Sequence, residues 1–241
     1  MVYIFMAAGK GTRLHPLTLN KPKVLYKLDK DNTVLQRMVR LIKKYDHEAK
    51  IVVVLGFMSD AIKEELAAYD VTFVMNPFYA VTNSIASLWF ARDYLMEGNV
   101  VLLDADIVME NSLVKDLLCK PVDRPKVLLD SSIKRNGDYN VQVNHEKVVV
   151  MSKNLDDYYG EYAGITLLNP AAAVKLKEKI ESMLNDGFYD QWYEDALVQM
   201  IFDEDFELFY DDICDSKWTE VDCVSDMLLA KRINEDSKNI K

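Results

Sequence analysis

The sequence predicts an α/β protein of the Rossmann-like kind, with three α/β/α layers about a mixed, mostly parallel central sheet. Three observations carry this. Runs at residues 2–7, 51–55 and 100–103 are apolar throughout, and 71–75 is apolar but for Thr72, as strands buried on both faces require. Segments with helical periodicity lie between them, and such alternation builds a parallel sheet covered by right-handed crossovers. Two loops, 8–14 and 104–106, leave the carboxyl ends of the first and fourth strands, which is where open α/β sheets bind ligands.

Taken in order, Val2–Ala7 is a continuous apolar run closed by Gly9. Residues 33–45 place Leu35, Met38, Val39 and Ile42 at i, i+3, i+4 and i+7, one face of a helix. The run 51–55 is rich in β-branched residues and bounded by Gly56. Ser59 is placed to cap a helix reaching Tyr69, with Glu64 and Glu65 outward. A third strand at 71–75, a helix at 84–96 and a fourth strand at 100–103 complete this half. Further on the pattern changes. Lys126–Asp130 and residues 139–144, 147–151 and 162–168 read as strands separated by turns such as Asn136-Gly137. Helices are expected at 170–184 and 191–202, a short strand at 218–221 and a last helix from Ser225. No repeat, low-complexity stretch or linker interrupts the chain, so residues 1–241 read as one domain.

Composition narrows the function. The chain has 241 residues, of which half are hydrophobic, enough for a large core. Its net charge of −10 argues against nucleic acid or an anionic membrane as the main partner. Cys119, Cys214 and Cys223 are odd in number and form no C-x-x-C pair, so reduced and mostly buried thiols in the cytoplasm are expected. The amino terminus has no basic start and reads as a strand, not a signal peptide, and no apolar run is long enough to insert in a membrane. Oligomeric state is left open.

Ala7-Ala8-Gly9-Lys10-Gly11-Thr12-Arg13-Leu14 follows the first strand. Two glycines allow close backbone approach, consecutive N–H groups can cradle an anion, and Lys10 and Arg13 add positive charge. The spacing matches neither a P-loop nor the dinucleotide fingerprint. An ordinary glycine turn is the plainer reading of these residues alone. Next come Pro16, Leu17, Thr18, Asn20, Lys21, Pro22, Lys23, Val24 and Leu25. Lys23 lies between a stiffening proline and an apolar pair, which favours a fixed, inward lysine over a solvated charge run.

Residues 6–25 together resemble the signature of the nucleotide-diphospho-sugar-type nucleotidyltransferases. Within that superfamily the chain is similar to the bacterial CTP:phosphocholine cytidylyltransferase branch, and the resemblance runs through nearly its whole length. It implies a Mg²⁺-dependent enzyme, with a nucleotide-binding half at 1–115 and an acceptor-binding half at 116–241. Ala7, Ala8, Gly9, Gly11 and Thr12 would hold the triphosphate, with Lys23 and Arg13 as catalytic cations. Residues 76–88 contain Thr82, Asn83 and Ser84. These read either as a helix cap or as groups facing a cytosine edge, and the resemblance supports the second.

Asp104 and Asp106 stand at i and i+2 after the fourth strand, and Glu220 and Asp222 repeat the spacing near the carboxyl terminus. Carboxylates there suit Mg²⁺, which takes few protein oxygens and keeps waters and phosphates. Either pair alone could be surface charge. Together they match the family's two metal-ligand segments, which implies Asp106 and Asp222 as ligands, Glu220 as a further one, and Asp104 on the nucleotide. Lys153 resembles the family lysine on the incoming phosphate. The stretches holding Tyr158, Glu161 and Tyr162, and Trp192, Tyr193, Glu194 and Asp195, are aromatic and acidic. They suit a cationic acceptor, although aromatics beside helices also pack in cores. The expected reaction is transfer of CMP from CTP to a small phosphorylated amino alcohol such as phosphocholine, releasing pyrophosphate. A 2-aminoethylphosphonate or other aminoalkyl-phosphate cytidylyltransferase, a sugar-1-phosphate nucleotidyltransferase and a non-catalytic nucleotide-binding regulatory subunit are the alternatives. His15, His47 and His145 have no ligand spacing and carry no catalytic role.

Overall fold

The computed structural model describes residues 1–132 and 139–239. Its elements run β1 (Val2–Ala7), α1 (Val34–Tyr45), β2 (Lys50–Leu55), α2 (Ser59–Glu65), β3 (Thr72–Met75), α3 (Ser84–Phe90), β4 (Val100–Asp104), β5 (Ile107–Met109) and α4 (Asn111–Leu113). There follow β6 (Lys126–Asp130), β7 (Asn140–Asn144), β8 (Lys147–Ser152), β9 (Gly160–Leu168), α5 (Pro170–Asn185), α6 (Tyr193–Asp203), β10 (Leu208–Asp212), β11 (Trp218–Glu220) and α7 (Val224–Asn239). The turn expected at Asn136-Gly137 lies outside the described residues.

Among the described residues nine strands form one sheet in the order β3-β2-β1-β4-β9-β6-β10-β8-β7, and β5 and β11 form a second, two-stranded sheet. Strands β1 to β4 pair in parallel, with Val2 opposite both Lys50 and Val100. β9 is antiparallel to both β4 and β6, and of the remaining pairings only β6–β10 is parallel. The sheet is therefore mixed, and its parallel character belongs mainly to the amino-terminal half, where crossover helices separate the strands.

Strand alternation sorts the core into two layers. Tyr3, Phe5 and Ala7 face Leu35, Met38 and Ile42 of α1 and Ile62 of α2. Val2 and Ile4 face the other way, toward Ile85 and Leu88 of α3, Leu176 of α5 and Leu197 of α6. Each such aliphatic side chain contributes about 1.5–3 kcal/mol by leaving water. A smaller cluster joins Leu14, Leu28, Val108, Val221 and Ile233 beneath α7.

Local chemistry sets the helix ends. α1 starts at a capping box, Thr33 accepting from the Gln36 N–H while Gln36 reaches back. α2 is shorter than its pattern suggests. Met58, at φ 49°, takes the cap position expected for Ser59. Beyond Glu65 the chain tightens into i→i+3 turns, Ala67 bonding Glu64 and Tyr69 bonding Leu66. α3 likewise gives way at Phe90 to a 3₁₀ segment, Arg92–Met96. The three cysteines are free; Cys119 and Cys214 are half-buried and Cys223 is exposed, so the expectation of mostly buried thiols does not hold. Among the described residues no helix is long and apolar enough to cross a membrane.

Candidate active site

The loop after β1 is held open by its own geometry. Gly11 adopts φ 63°, a left-handed conformation that costs a side-chain-bearing residue energy. Its carbonyl is pinned by the Thr18 hydroxyl at 2.7 Å and the Leu14 N–H at 3.1 Å. A side chain at Gly9 would meet only open space, so the loop backbone faces a cleft. That cleft has a volume of about 530 Å³.

One wall is the loop itself, where Ala7, Ala8, Gly9, Gly11, Thr12 and Arg13 come together as expected. Thr82, Asn83 and Ser84 line it as well. Their oxygens already have intramolecular work. Asn83 caps α3 by accepting from the Ser84 N–H, Thr82 bonds Asn76 and the Phe78 carbonyl, and Ser84 Oγ accepts from the Tyr193 N–H. The cap reading of this segment is therefore correct for Asn83, within the cleft wall.

The carboxylates meet on the floor. Asp106 immediately precedes β5, and Glu220 ends β11; Ile107 pairs with Glu220, and the Val221 N–H donates to the Asp106 carbonyl at 3.2 Å. The small sheet thus brings residues more than a hundred positions apart into one cluster. Asp106, Glu220 and Asp222 place one oxygen each within 4.8 Å of one another. Lys23 sits among them, paired with Asp106, with Asp222 at 2.9 Å and with Glu220 at 3.9 Å. Arg13 reaches Asp222 at 3.0 Å and Glu220 at 3.9 Å. Burial works against the Lys23 ammonium, but Asp106, Asp222 and Glu220 more than offset it and hold it charged. Burial first, then Asp106, Asp104 and Asp222, push the Glu220 carboxyl well above the usual range. Three crowded carboxylates against two side-chain cations form a hard-oxygen donor set that fits a divalent cation such as Mg²⁺.

The far wall is acidic and aromatic. Lys153, Tyr162, Trp192 and Glu194 line it, as does Asp104. Lys153 Nζ lies 4.1 Å from the centre of the Trp192 ring, so the cation seated on that aromatic face is the protein's own lysine. Glu194 is 3% exposed, and its Oε2 has no hydrogen-bond partner among the described residues. Burial, and next the neighbouring Asp104, raise its carboxyl well above the usual range.

Tyr158, Glu161, Tyr193 and Asp195 do not line the cleft. Tyr193 is core, its hydroxyl 2.6 Å from that of Tyr162. Asp195 accepts from the Trp192 N–H, and from the Tyr139 hydroxyl at 2.6 Å. The aromatic-acidic pattern does not distinguish such residues from Glu194, one position away, because a helix start turns neighbours to different sides. Tyr139, which lines the cleft, belongs to no motif. Gly164, at φ 68°, also lines it; a side chain there would come within 2.8 Å of the Asp104 carboxylate. Its place beside Asp104 depends on the β4–β9 pairing, which no local pattern encodes.

A glycine-bearing loop on the first strand of an α/β sheet, facing carboxylates and lysines across one cleft, is the architecture of a nucleotidyltransferase. Residues 3–136, more than half of the chain, match the family described as MobA-like NTP transferase domain, and the chain belongs to that family. It is 25% identical over 244 aligned residues, 99% of each chain, to the choline-phosphate cytidylyltransferase of Streptococcus pneumoniae. It is 24% identical to the 2-aminoethylphosphonate cytidylyltransferase of Lancefieldella rimae, over 96% of this chain and 86% of that one. Among solved structures, the inositol-1-phosphate CTP transferase from T. maritima superposes with a TM-score of 0.78 at 20% identity, covering 97% of this chain and 96% of that one. The protein is a nucleotidyltransferase enzyme.

Proposed function

We propose that the enzyme transfers CMP from CTP to a small phosphorylated amino alcohol, phosphocholine being the first candidate, and releases pyrophosphate. The observation that carries this reading is Glu194, a buried carboxylate with an oxygen lacking a partner in a cleft that also holds the phosphate-binding loop. A cationic head group neutralises that carboxylate; a neutral sugar leaves its charge unpaired, at a desolvation cost of about 1–3 kcal/mol. The named activities of the two cytidylyltransferases similar over most of the chain point the same way.

In the proposed reaction an oxygen of the acceptor's phosphate attacks the α-phosphorus in line, and the bond from the α-phosphorus to the oxygen bridging the β-phosphate breaks. The attacking oxygen is already an anion, so no general base is needed, and catalysis is positioning plus charge neutralisation. The loop backbone from Ala8 to Thr12 orients the triphosphate, and Arg13 and Lys23, at the border of loop and carboxylates, stabilise the leaving pyrophosphate. Asp106, Asp222 and Glu220 would hold Mg²⁺, which neutralises phosphate charge when bound. Trp192 holds Lys153 on the acceptor side. Lys153→Ala is expected to raise the acceptor KM by about tenfold or more, the loss of one charged hydrogen bond, and to leave the KM for CTP near its starting value. Steady-state kinetics with each substrate varied decide this; weakened CTP binding with an unchanged acceptor KM would reverse the assignment of the two lysines.

One observation favours a second acceptor. An oxygen that lacks a hydrogen bond is best met by a donor, and a primary ammonium donates where a quaternary one does not. 2-Aminoethylphosphonate is therefore the alternative substrate. A pyrophosphate-release screen of the four NTPs against phosphocholine, 2-aminoethylphosphonate and glucose-1-phosphate tests the proposal. CTP with either amine-bearing acceptor is expected to exceed glucose-1-phosphate in kcat/KM, and a preference for the sugar phosphate would overturn it.

A further inference from the structure

A second cavity, of about 350 Å³, lies away from the cleft at the seam between α1 and α7. Arg37, Arg40 and Lys44 reach it from α1, spaced i, i+3 and i+7 so that they share one helix face, and Asn234, Ser237 and Lys238 reach it from α7. Arg37 is 1% exposed. Its guanidinium donates to the Met109 carbonyl at 2.8 Å, to Asn111 Oδ1 and Ser237 Oγ at 3.1 Å each, and to Asn234 Oδ1 at 3.2 Å. Every one of these oxygen acceptors is neutral. The nearby Asp29 is committed elsewhere, to Lys238 at 2.7 Å and to the amides of Asn32 and Asn234. Arg40 and Lys44 form no ion pair among the described residues. Burial, and next the Arg40 charge, lower the Arg37 guanidinium to about 10. A buried charge with no carboxylate hydrogen-bonded to it is costly in any fold; Asp29, acting through space, offsets only part of that cost, and further cations join Arg37 in a protein of net charge −10.

We propose that this cavity is an anion site, separate from the active-site cleft, that takes a phosphate-bearing anion of the size of inorganic pyrophosphate. The buried guanidinium, whose five N–H groups are engaged by four oxygens and by Met38 Sδ at 3.9 Å, supplies positive charge, and Arg40 and Lys44 at the mouth supply the donors that meet the ligand. The ligand bridges α1 and α7. Through the Arg37–Met109 bond it abuts β5, the strand that follows Asp106.

The test is thermal unfolding in EDTA with inorganic pyrophosphate as probe, at ionic strength matched with KCl. The starting protein carries Lys10→Ala and Arg13→Ala, so that side-chain cations at the phosphate-binding loop no longer compete for the probe. Pyrophosphate at about a hundredfold excess over Kd is expected to raise its Tm by about 5–10 °C. Adding Arg40→Gln and Lys44→Gln, both exposed and away from the core, is expected to leave the Tm without anion nearly unchanged and to abolish the shift. Three results would each overturn the site: no shift in the loop variant, the full shift retained without Arg40 and Lys44, or the same shift produced by KCl alone.

Discussion

Asp106→Asn and Asp222→Asn are each expected to lower turnover by about 10²–10³-fold at saturating Mg²⁺, the usual cost of losing one electrostatic stabiliser of a transition state. The effect is large because the cluster is small and closed. Asp106 is 3% exposed, and each substitution removes one of three oxygen donors that lie within 4.8 Å of one another. The fold is expected to survive. Lys23, the cation at the centre, keeps two other carboxylates in either variant, so no buried charge is stranded. A Tm within a few degrees of the parent, together with weakened Mn²⁺ binding in a metal titration, separates loss of a ligand from loss of structure. Wild-type turnover of both variants in Mg²⁺ would refute the metal-binding role.

The second large effect is expected at Glu194. Glu194→Gln keeps the size and removes the charge, and should reduce kcat/KM for an ammonium-bearing acceptor by about 1.5–3 kcal/mol, roughly 10- to 150-fold. It should change the rate with a neutral phosphorylated alcohol much less. The pH dependence adds an independent check. Burial and Asp104 raise this carboxyl in the folded protein, so the folded state holds a proton at pH values where the unfolded chain has lost it. The associated stability is present below the unfolded value and is lost as pH rises through the folded one. Glu194→Gln removes that dependence, so the Tm of the variant should gain on the parent as pH increases. A cationic acceptor, by contrast, favours the ionised carboxyl, so the parent's acceptor KM should fall with rising pH while the variant's stays flatter. Equal acceptor discrimination in parent and variant would show that Glu194 does not meet the cation.

Much of the side of the cleft proposed for the nucleotide is legible in local sequence. A strand, a glycine that must take positive φ and a lysine held between proline and an apolar pair are short-range features, and the loop from Ala7 to Arg13 lines the cleft as its residues imply. The apolar runs likewise determine that β1, β2 and β4 are buried and that helices cover both faces, because strand alternation and helix periodicity act within a few residues; β3, expected to be buried as well, lies at the sheet edge and is only half-buried, with Met75 exposed, because strand order is set by long-range pairing. The i, i+2 carboxylate pairs mark candidate segments too. Their union does not follow from either pair. It depends on β5 and β11, each of three residues and too short for alternation to register, pairing across more than a hundred positions.

The side of the cleft proposed for the acceptor was decided almost wholly by tertiary packing. Trp192, Tyr193, Glu194 and Asp195 are consecutive and chemically alike as a group, yet the start of α6 sends Tyr193 into the core and Asp195 to Tyr139, and leaves Trp192 and Glu194 on the cleft. Lys153 meets Trp192 only because β8 ends beside that helix start. Arg37 shows the same division. Its helical spacing with Arg40 and Lys44 is written in the sequence, whereas its burial against α7 is set by contacts 197 and 200 residues away. Local sequence determines which conformations and charges are on offer; which of them face one another is a property of strand pairing and helix docking, where the energetics are long-range.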